Sequence, residues 1–152
     1  MRCGGATRIV VAAILLCAGS AARAQNTKTY KVRLAPVAMD LTMVPNIAGA
    51  GAATATLAGT KLTITGAFDG LKSPATIAQI HKGPVTGVRG PVLFDLTVAN
   101  STSGTVNGTV DLTPTQVTDL QKGRLYIQIH SEKAPEGNLW GWLLPEKSHA
   151  RD

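Results

Sequence analysis

Short runs of alternating apolar and polar residues recur along this chain, and segments rich in glycine, proline, asparagine or serine separate most of them. Successive side chains of a β-strand point to opposite faces, so alternation with period two predicts strands with one buried face. No long segment has the period of a helix. The runs predict about eight strands, at residues 30–37, 53–57, 61–68, 76–81, 92–98, 104–112, 124–131 and 138–144. This pattern is typical of an antiparallel β-sandwich or barrel.

One segment, residues 113–123, departs from the strand pattern and predicts a short helix. Thr113 can cap its first turn, Pro114 suits the first helical position, and Gly123 can end it. Residues 82–91 and 132–137 are dense in glycine and proline or in charge, and we interpret both as loops between strands.

The N-terminus has the organisation of a secretory signal peptide. Arg2 and Arg8 give a positive start, residues 9–17 form an apolar run, and Ala22-Arg23-Ala24 has the small-x-small form of a cleavage site. We expect a signal peptide at residues 1–24 and a mature start at Gln25. The apolar run is too short for a stable membrane span, which needs about 20 apolar residues, so an integral membrane protein is not expected.

Residues 25–145 are expected to form one domain, followed by a charged tail at residues 146–152. Both cysteines, Cys3 and Cys17, lie in the signal peptide, so the mature chain has no disulfide or thiolate. A lipid anchor at Cys17 is the alternative, although Leu16 is larger than the residue usual before such a cysteine. Export without disulfides favours a bacterial periplasmic or secreted protein.

Charge argues against a nucleic-acid partner. The formal net charge of +6 includes Arg2, Arg8 and Arg23 of the signal peptide, and the other lysines and arginines are scattered. A nucleic-acid interface needs clustered positive charge.

The tripeptide Gln-Ile-His occurs twice, and each copy ends a predicted strand. Gln79 and His81 share one strand face, as do Gln128 and His130. If the two strands are neighbours, these side chains form a Gln/His patch. His81 and His130 are candidate zinc or copper ligands, but such a site usually has three or four ligands, and no third is evident. The alternative is that both histidines hydrogen-bond loop backbone.

Two tryptophans close the last predicted strand. Trp140 and Trp142 share one face, while Leu139, Gly141 and Leu143 take the core face. The pair predicts an exposed aromatic ridge that binds a sugar, a peptide or a protein. Tyr126 shares a face with the Gln/His patch and would lie near the ridge. The alternative is that the tail, residues 38–51 or a second subunit covers both indoles.

Several segments together resemble the CHRD domain, a module named after chordin and also found in bacterial exported proteins. They are Gly66-Ala67-Phe68-Asp69-Gly70-Leu71, Ser73-Pro74-Ala75-Thr76, Ile80-His81-Lys82-Gly83, Leu112-Thr113-Pro114, residues 120–123, Tyr126-Ile127-Gln128-Ile129-His130, Pro135-Glu136-Gly137 and Leu139-x-Gly141. The resemblance implies an all-β, immunoglobulin-like or Greek-key antiparallel sandwich, here with one short helix. It implies little about activity.

The chain departs from the family at two places. Relatives commonly have His-Ile-His where this chain has Gln79-Ile80-His81, so a metal chelate built on that pair would lack one ligand here. The last strand of relatives tends to read Glu-Ile-Arg-Gly-Gln, and here residues 138–142 read Asn-Leu-Trp-Gly-Trp.

The sequence therefore predicts an exported, non-enzymatic binding module without a cofactor. Its partner would be a protein or a carbohydrate, and its binding residues would be Trp140, Trp142, Tyr126, Gln79 and Gln128. The alternative is a periplasmic copper or zinc protein that uses His81 and His130. A copper-dependent redox enzyme is disfavoured, because such a site would need four to six clustered ligands.

Overall fold

The computed structural model describes residues 26–38 and 40–145 as eight antiparallel strands and one helix. The predicted signal peptide and charged tail lie outside these residues. The strands are β1 (Thr27–Pro36), β2 (Ala50–Ala58), β3 (Lys61–Asp69), β4 (Ala75–Lys82), β5 (Val92–Val98), β6 (Gly104–Asp111), β7 (Leu125–Ser131) and β8 (Ala134–Trp142). Each of the eight predicted strands is therefore present. No helix in the described ranges is long and apolar enough to cross a membrane.

The strands close into a barrel in the order β1-β2-β3-β6-β5-β4-β7-β8. The prediction of an open Greek-key or immunoglobulin-like sandwich is therefore wrong. Two strands join what would otherwise be separate sheets. The first part of β1 pairs with β2, while Ala35 and Pro36 pair with β8. Likewise β5 pairs with β4, and then Thr97 and Val98 pair with β6.

The barrel interior is filled by the apolar side chains that the alternation predicts. Tyr30, Val32 and Leu34 of β1 are at most 3% exposed. Leu125, Ile127 and Ile129 of β7 are fully buried and belong to the same core cluster. Burial of one such side chain stabilises the fold by about 1.5–3 kcal/mol before conformational entropy is subtracted, so this interior is the main source of stability.

The helix α1 (Pro114–Gln121) confirms the predicted start and lies between β6 and β7. Thr113 and Gln116 form a capping box, in which each side chain accepts a hydrogen bond from the other residue's backbone N–H. Leu120 is fully buried in the core cluster. The helix therefore adds a side chain to the barrel core rather than standing apart from it.

The predicted loop at residues 132–137 is wrong in part, because β8 begins at Ala134. The pairing of β7 with β8 shifts register between Ile129 and Ser131, and Gly137 has a φ of 122°. Because glycine tolerates this conformation, β8 can continue through its Pro-x-Gly sequence as an irregular strand.

Candidate functional site

The outer face of β4, β7 and β8 brings the predicted site residues together in two rows. The first row is Gln79, Gln128 and Trp140, and the second is His81, Tyr126 and Trp142. Both rows follow from the register, in which β7 pairs with β4 on one side and with β8 on the other. The two Gln-Ile-His strands are neighbours, which is the condition for a Gln/His patch, and Gln79 lies directly opposite Gln128.

Tyr126 is the centre of a stack of rings on this outer face. Its ring lies 5.0 Å from that of His81 and 5.4 Å from that of Trp140, nearly parallel to both. The ring of Trp142 is 4.6 Å away at an angle of 42°. Aromatic pairs at such separations stabilise one another by about 0.5–1.5 kcal/mol beyond their burial. The stack therefore holds His81 and both indoles in fixed relative positions.

The β4–β5 loop (residues 83–91) folds back over this stack. The Tyr126 hydroxyl accepts a hydrogen bond from the Gly90 N–H and donates one to the Gly90 carbonyl. The Arg89 guanidinium lies 5.0 Å above the Trp140 ring, a cation–π distance. A Cβ at Gly90 would lie 1.7 Å from the Lys82 carbonyl oxygen, so glycine is required for this close approach. The loop thereby covers Trp140, which is only 6% exposed, and leaves Trp142 partly exposed.

His81 is held by backbone and is nearly inaccessible to solvent. Its Nδ1 lies 3.1 Å from the Gly90 carbonyl oxygen, and the residue is 7% exposed. Burial lowers the pKa of His81; the hydrogen bond to Gly90 opposes this, and the charges of His130 and Arg89 add to it. The imidazole is therefore neutral near pH 7.

His130 has the same arrangement, since its Nδ1 lies 2.7 Å from the Pro135 carbonyl oxygen. The centres of the two imidazole rings are 6.3 Å apart, and their planes are at 34° to each other. Gln128 lies between them in the register of β7, and its Nε2 donates to the Glu136 carbonyl oxygen at 2.7 Å.

Several buried polar atoms on this outer face have no hydrogen-bond partner. They are His81 Nε2, His130 Nε2, Gln128 Oε1 and Trp140 Nε1. A fifth such atom in the described ranges, Asp119 Oδ2, lies 2.6 Å from the Lys82 ammonium, and that ion pair satisfies it. Native proteins rarely leave buried polar groups unpaired, because each costs about 1–3 kcal/mol, so the other four atoms call for an explanation.

A pocket of about 240 Å³ opens at the edge of the ring stack. It is lined by Val37, Gly87, Arg89, Trp140 and Trp142. Arg89 supplies the one charged side chain of this lining, and Val37 is 47% exposed at its rim. The pocket therefore offers an apolar wall next to a guanidinium group.

Comparison with known proteins identifies one family. The model of the CHRD domain matches residues 30–143. The chain belongs to the CHRD domain family. No curated protein and no solved structure matches this CHRD domain. The family assignment predicted from the sequence is confirmed, and the matched residues include the whole outer face described above.

Some residues of this CHRD domain's site were not predicted from its sequence. The sequence pattern places Arg89 and Gly90 in a loop and Val37 at the end of a strand, and it indicates no further role for them. The density of glycine in residues 83–90 was the available signal, because a glycine-rich loop can approach a sheet closely. Residues 38–51 were one alternative for covering the indoles; within them, the Ala48 N–H donates a hydrogen bond to the side-chain oxygen of Asn138.

The structure does not extend the predicted metal site beyond two histidines. No group of three or more His, Cys, Asp or Glu side chains suited to a metal ion occurs within residues 26–38 and 40–145. Glu132 is the carboxylate closest in sequence to His130, and it is exposed just beyond the end of β7. His149 lies outside the described residues.

Proposed function

We propose that this CHRD domain is an exported, non-enzymatic binding module, and that its ligand enters the pocket beside Trp140 and Trp142. The observation that carries the proposal is the combination of a partly exposed indole and a guanidinium group in one concave lining. Pockets that are mainly apolar, with a few placed polar groups, are the usual form of binding sites.

The chemistry of the lining favours a protein partner over a carbohydrate. Sugars present many hydroxyl groups and need several hydrogen-bonding side chains, whereas the side chains of this lining offer only the Arg89 guanidinium and the indole N–H groups. The same loop carries Val85 and Val88, which are 54% and 48% exposed. An apolar side chain of a partner would enter the pocket, and an adjacent acidic group would pair with Arg89.

The contacts of the two histidines support the non-enzymatic part of the proposal. The Nδ1 atoms of His81 and His130 contact backbone carbonyl oxygens. In hydrolytic triads the corresponding contacts are made by a carboxylate and by a hydroxyl nucleophile. Export to the periplasm or the medium is proposed from the N-terminal sequence, in which Arg2 and Arg8 precede an apolar run and Ala22-Arg23-Ala24.

Intrinsic fluorescence tests the site directly, because Trp140 and Trp142 are the two tryptophans of the chain. Peptides would be selected from a random displayed library on the mature protein and then titrated in solution, with a panel of neutral oligosaccharides in parallel. We expect selected peptides to carry an apolar residue next to an acidic one and to change the fluorescence on binding.

Variants then locate the binding energy. Trp142→Ala and Arg89→Ala are each expected to weaken peptide binding by about tenfold or more, as buried aromatic and arginine anchors do. Leu41→Ala is the matched control, since Leu41 is 88% exposed and lies outside the pocket lining. Equal losses in all three variants, or binding of oligosaccharides alone, would contradict a protein-binding pocket.

A further inference from the structure

The geometry points to a binding site for one monovalent copper ion between His81 and His130, in which the Nε2 atoms of the two histidines are the ligands. This site lies on the outer face of β4 and β7, at the opposite end of the ring stack from Trp142. It does not depend on the pocket proposed above for a protein partner.

The backbone contacts of the two histidines fix the tautomer of each imidazole. A carbonyl oxygen can only accept a hydrogen bond, so the Nδ1 atoms that contact Gly90 and Pro135 each carry the hydrogen. In a neutral ring the other nitrogen, Nε2, then has a free lone pair. Histidines that bind metals are commonly fixed in this way, by an N–H bond from one nitrogen to a backbone carbonyl.

The lone pairs of the two Nε2 atoms have no hydrogen-bond partner. Both Nε2 atoms are buried, and neither has a hydrogen-bond donor nearby. A buried acceptor without a donor is costly, and a bound cation removes that cost for both rings together. Gln128 Oε1 is a third buried acceptor without a partner, on the strand position between the two rings.

The separation of the two rings selects the coordination geometry of the ion. A metal ion lies about 2.0–2.1 Å from an imidazole nitrogen, which is about 1.1 Å from its ring centre, so rings sharing one ion are no more than about 6.4 Å apart. The observed separation is 6.3 Å. Only a nearly linear, two-coordinate ion fits this distance without movement of the strands, whereas tetrahedral coordination would need the rings about 1 Å closer.

The burial of the two Nε2 atoms limits the charge of the ion that the site can hold. The two imidazoles are neutral ligands, and no third His, Cys, Asp or Glu completes a metal group in the described ranges. The cost of placing an ion in a buried site rises steeply with its charge. A monovalent ion that accepts two nitrogen ligands in a line, such as Cu⁺, therefore suits the site better than Zn²⁺.

The experiment is an anaerobic titration of the mature protein with Cu⁺ in competition with a coloured Cu⁺ chelator. Long-range ¹H–¹⁵N spectra of the imidazoles would be recorded in parallel. We expect one equivalent to bind, with the Nε2 resonances of His81 and His130 shifted and their Nδ1 resonances still protonated. Ag⁺ should reproduce the shifts, because it is monovalent and also prefers linear coordination.

Variants distinguish this site from unspecific binding. His81→Ala and His130→Ala are each expected to lower the Cu⁺ affinity by about 100-fold or more, whereas His149→Ala should leave it unchanged. Truncation of the buried His81 can itself disturb folding, so the milder change His130→Gln is added at the other ligand. Circular dichroism would establish that each variant is folded. Stronger binding of Zn²⁺ through the same Nε2 atoms would overturn the proposal. So would Cu⁺ binding that survives both alanine variants, or Nε2 resonances that do not respond to Cu⁺.

Discussion

Gly137 shows how one residue shapes the site from outside its lining. Its φ is 122°, a conformation that residues with a side chain rarely adopt. A Cβ at this position would lie 2.1 Å from Gln128 Nε2 and 2.9 Å from Trp140 Nε1. Gly137 therefore lets β8 pass close to β7 at the point where the Gln/His patch meets the tryptophans.

We expect Gly137→Ala to lower the free energy of unfolding by about 1–3 kcal/mol more than Gly59→Ala does. Gly59 has a φ of 64°, in the left-handed region that other residues adopt at modest cost, and the space around it is open. The excess loss at Gly137 therefore contains both its greater backbone strain and the clash of the added Cβ with Gln128 and Trp140. Denaturant unfolding measures the difference, and near-ultraviolet circular dichroism reports on the tryptophans. Equal losses in the two variants would show that Gln128 and Trp140 simply move aside.

At the scale of elements, Asp119 joins α1 to the strands of the site. Its carboxylate lies 2.6 Å from the Lys82 ammonium at the end of β4 and 3.2 Å from the Arg124 guanidinium just before β7. The hydrogen bond from Lys82 is the main cause that lowers the pKa of Asp119; desolvation opposes it, and the hydrogen bond from Arg124 adds to it. The helix thus fixes the ends of the two strands that carry His81 and His130.

We expect Asp119→Asn to lower the free energy of unfolding at pH 7 by about 2 kcal/mol. The folded pKa of Asp119 lies below the value of about 3.9 in the unfolded chain, so the stabilisation is complete above pH 4 to 5 and is lost as pH falls through the folded pKa. The measurement is the stability difference between wild type and variant from pH 7 to pH 2, which should shrink toward zero in acid.

Asp111→Asn is the matched control for this prediction. Asp111 pairs with Lys61 at 3.4 Å, but both side chains are more than half exposed. Exposed ion pairs contribute about 0–1 kcal/mol, so the control should change little. A pH-independent difference for Asp119→Asn would rule out the ion pair as its cause.

At the scale of the whole molecule, closure of the barrel depends on a short contact between its first and last strands. Only Ala35 and Pro36 of β1 pair with β8, opposite Trp140 and Leu139. Gly141 lies at this seam, where a Cβ would be 2.3 Å from Val32 Cγ1 and 2.8 Å from the Arg33 carbonyl oxygen. The absence of a side chain at Gly141 therefore lets β1 approach β8 closely enough to close the sheet.

We expect Gly141→Ala to open this seam before the rest of the barrel. Amide hydrogen exchange followed by NMR should become faster first in the ends of β1 and β8 that pair with each other. Gly66→Ala is the control, since a Cβ there would lie 2.7 Å from Ala53 Cβ and disturb the pairing of β2 with β3 instead. Uniformly faster exchange in Gly141→Ala would indicate that the seam has no independent stability.

The sequence by itself determined the strands, the helix and the family. Alternation is a local property, because burial of one strand face requires period two, so all eight strands and the capped start at Thr113 could be read from neighbouring residues. The same local order placed Gln128, His130 and Tyr126 on one face, and Trp140 and Trp142 on another strand's outward face.

Only the tertiary structure decided the closure of the barrel and the burial of the site. Alternation is the same in an open sheet and in a closed one, because it states which face is buried and not which strand lies at an edge. The contacts of Gly90 with Tyr126 and of Arg89 with Trp140 join residues far apart in sequence. A loop that approaches the sheet through a glycine has no alternation of apolar residues from which this contact could be predicted. The unpartnered nitrogens of His81 and His130 likewise exist only because the folded loop and strand turn Nδ1 of each ring toward backbone.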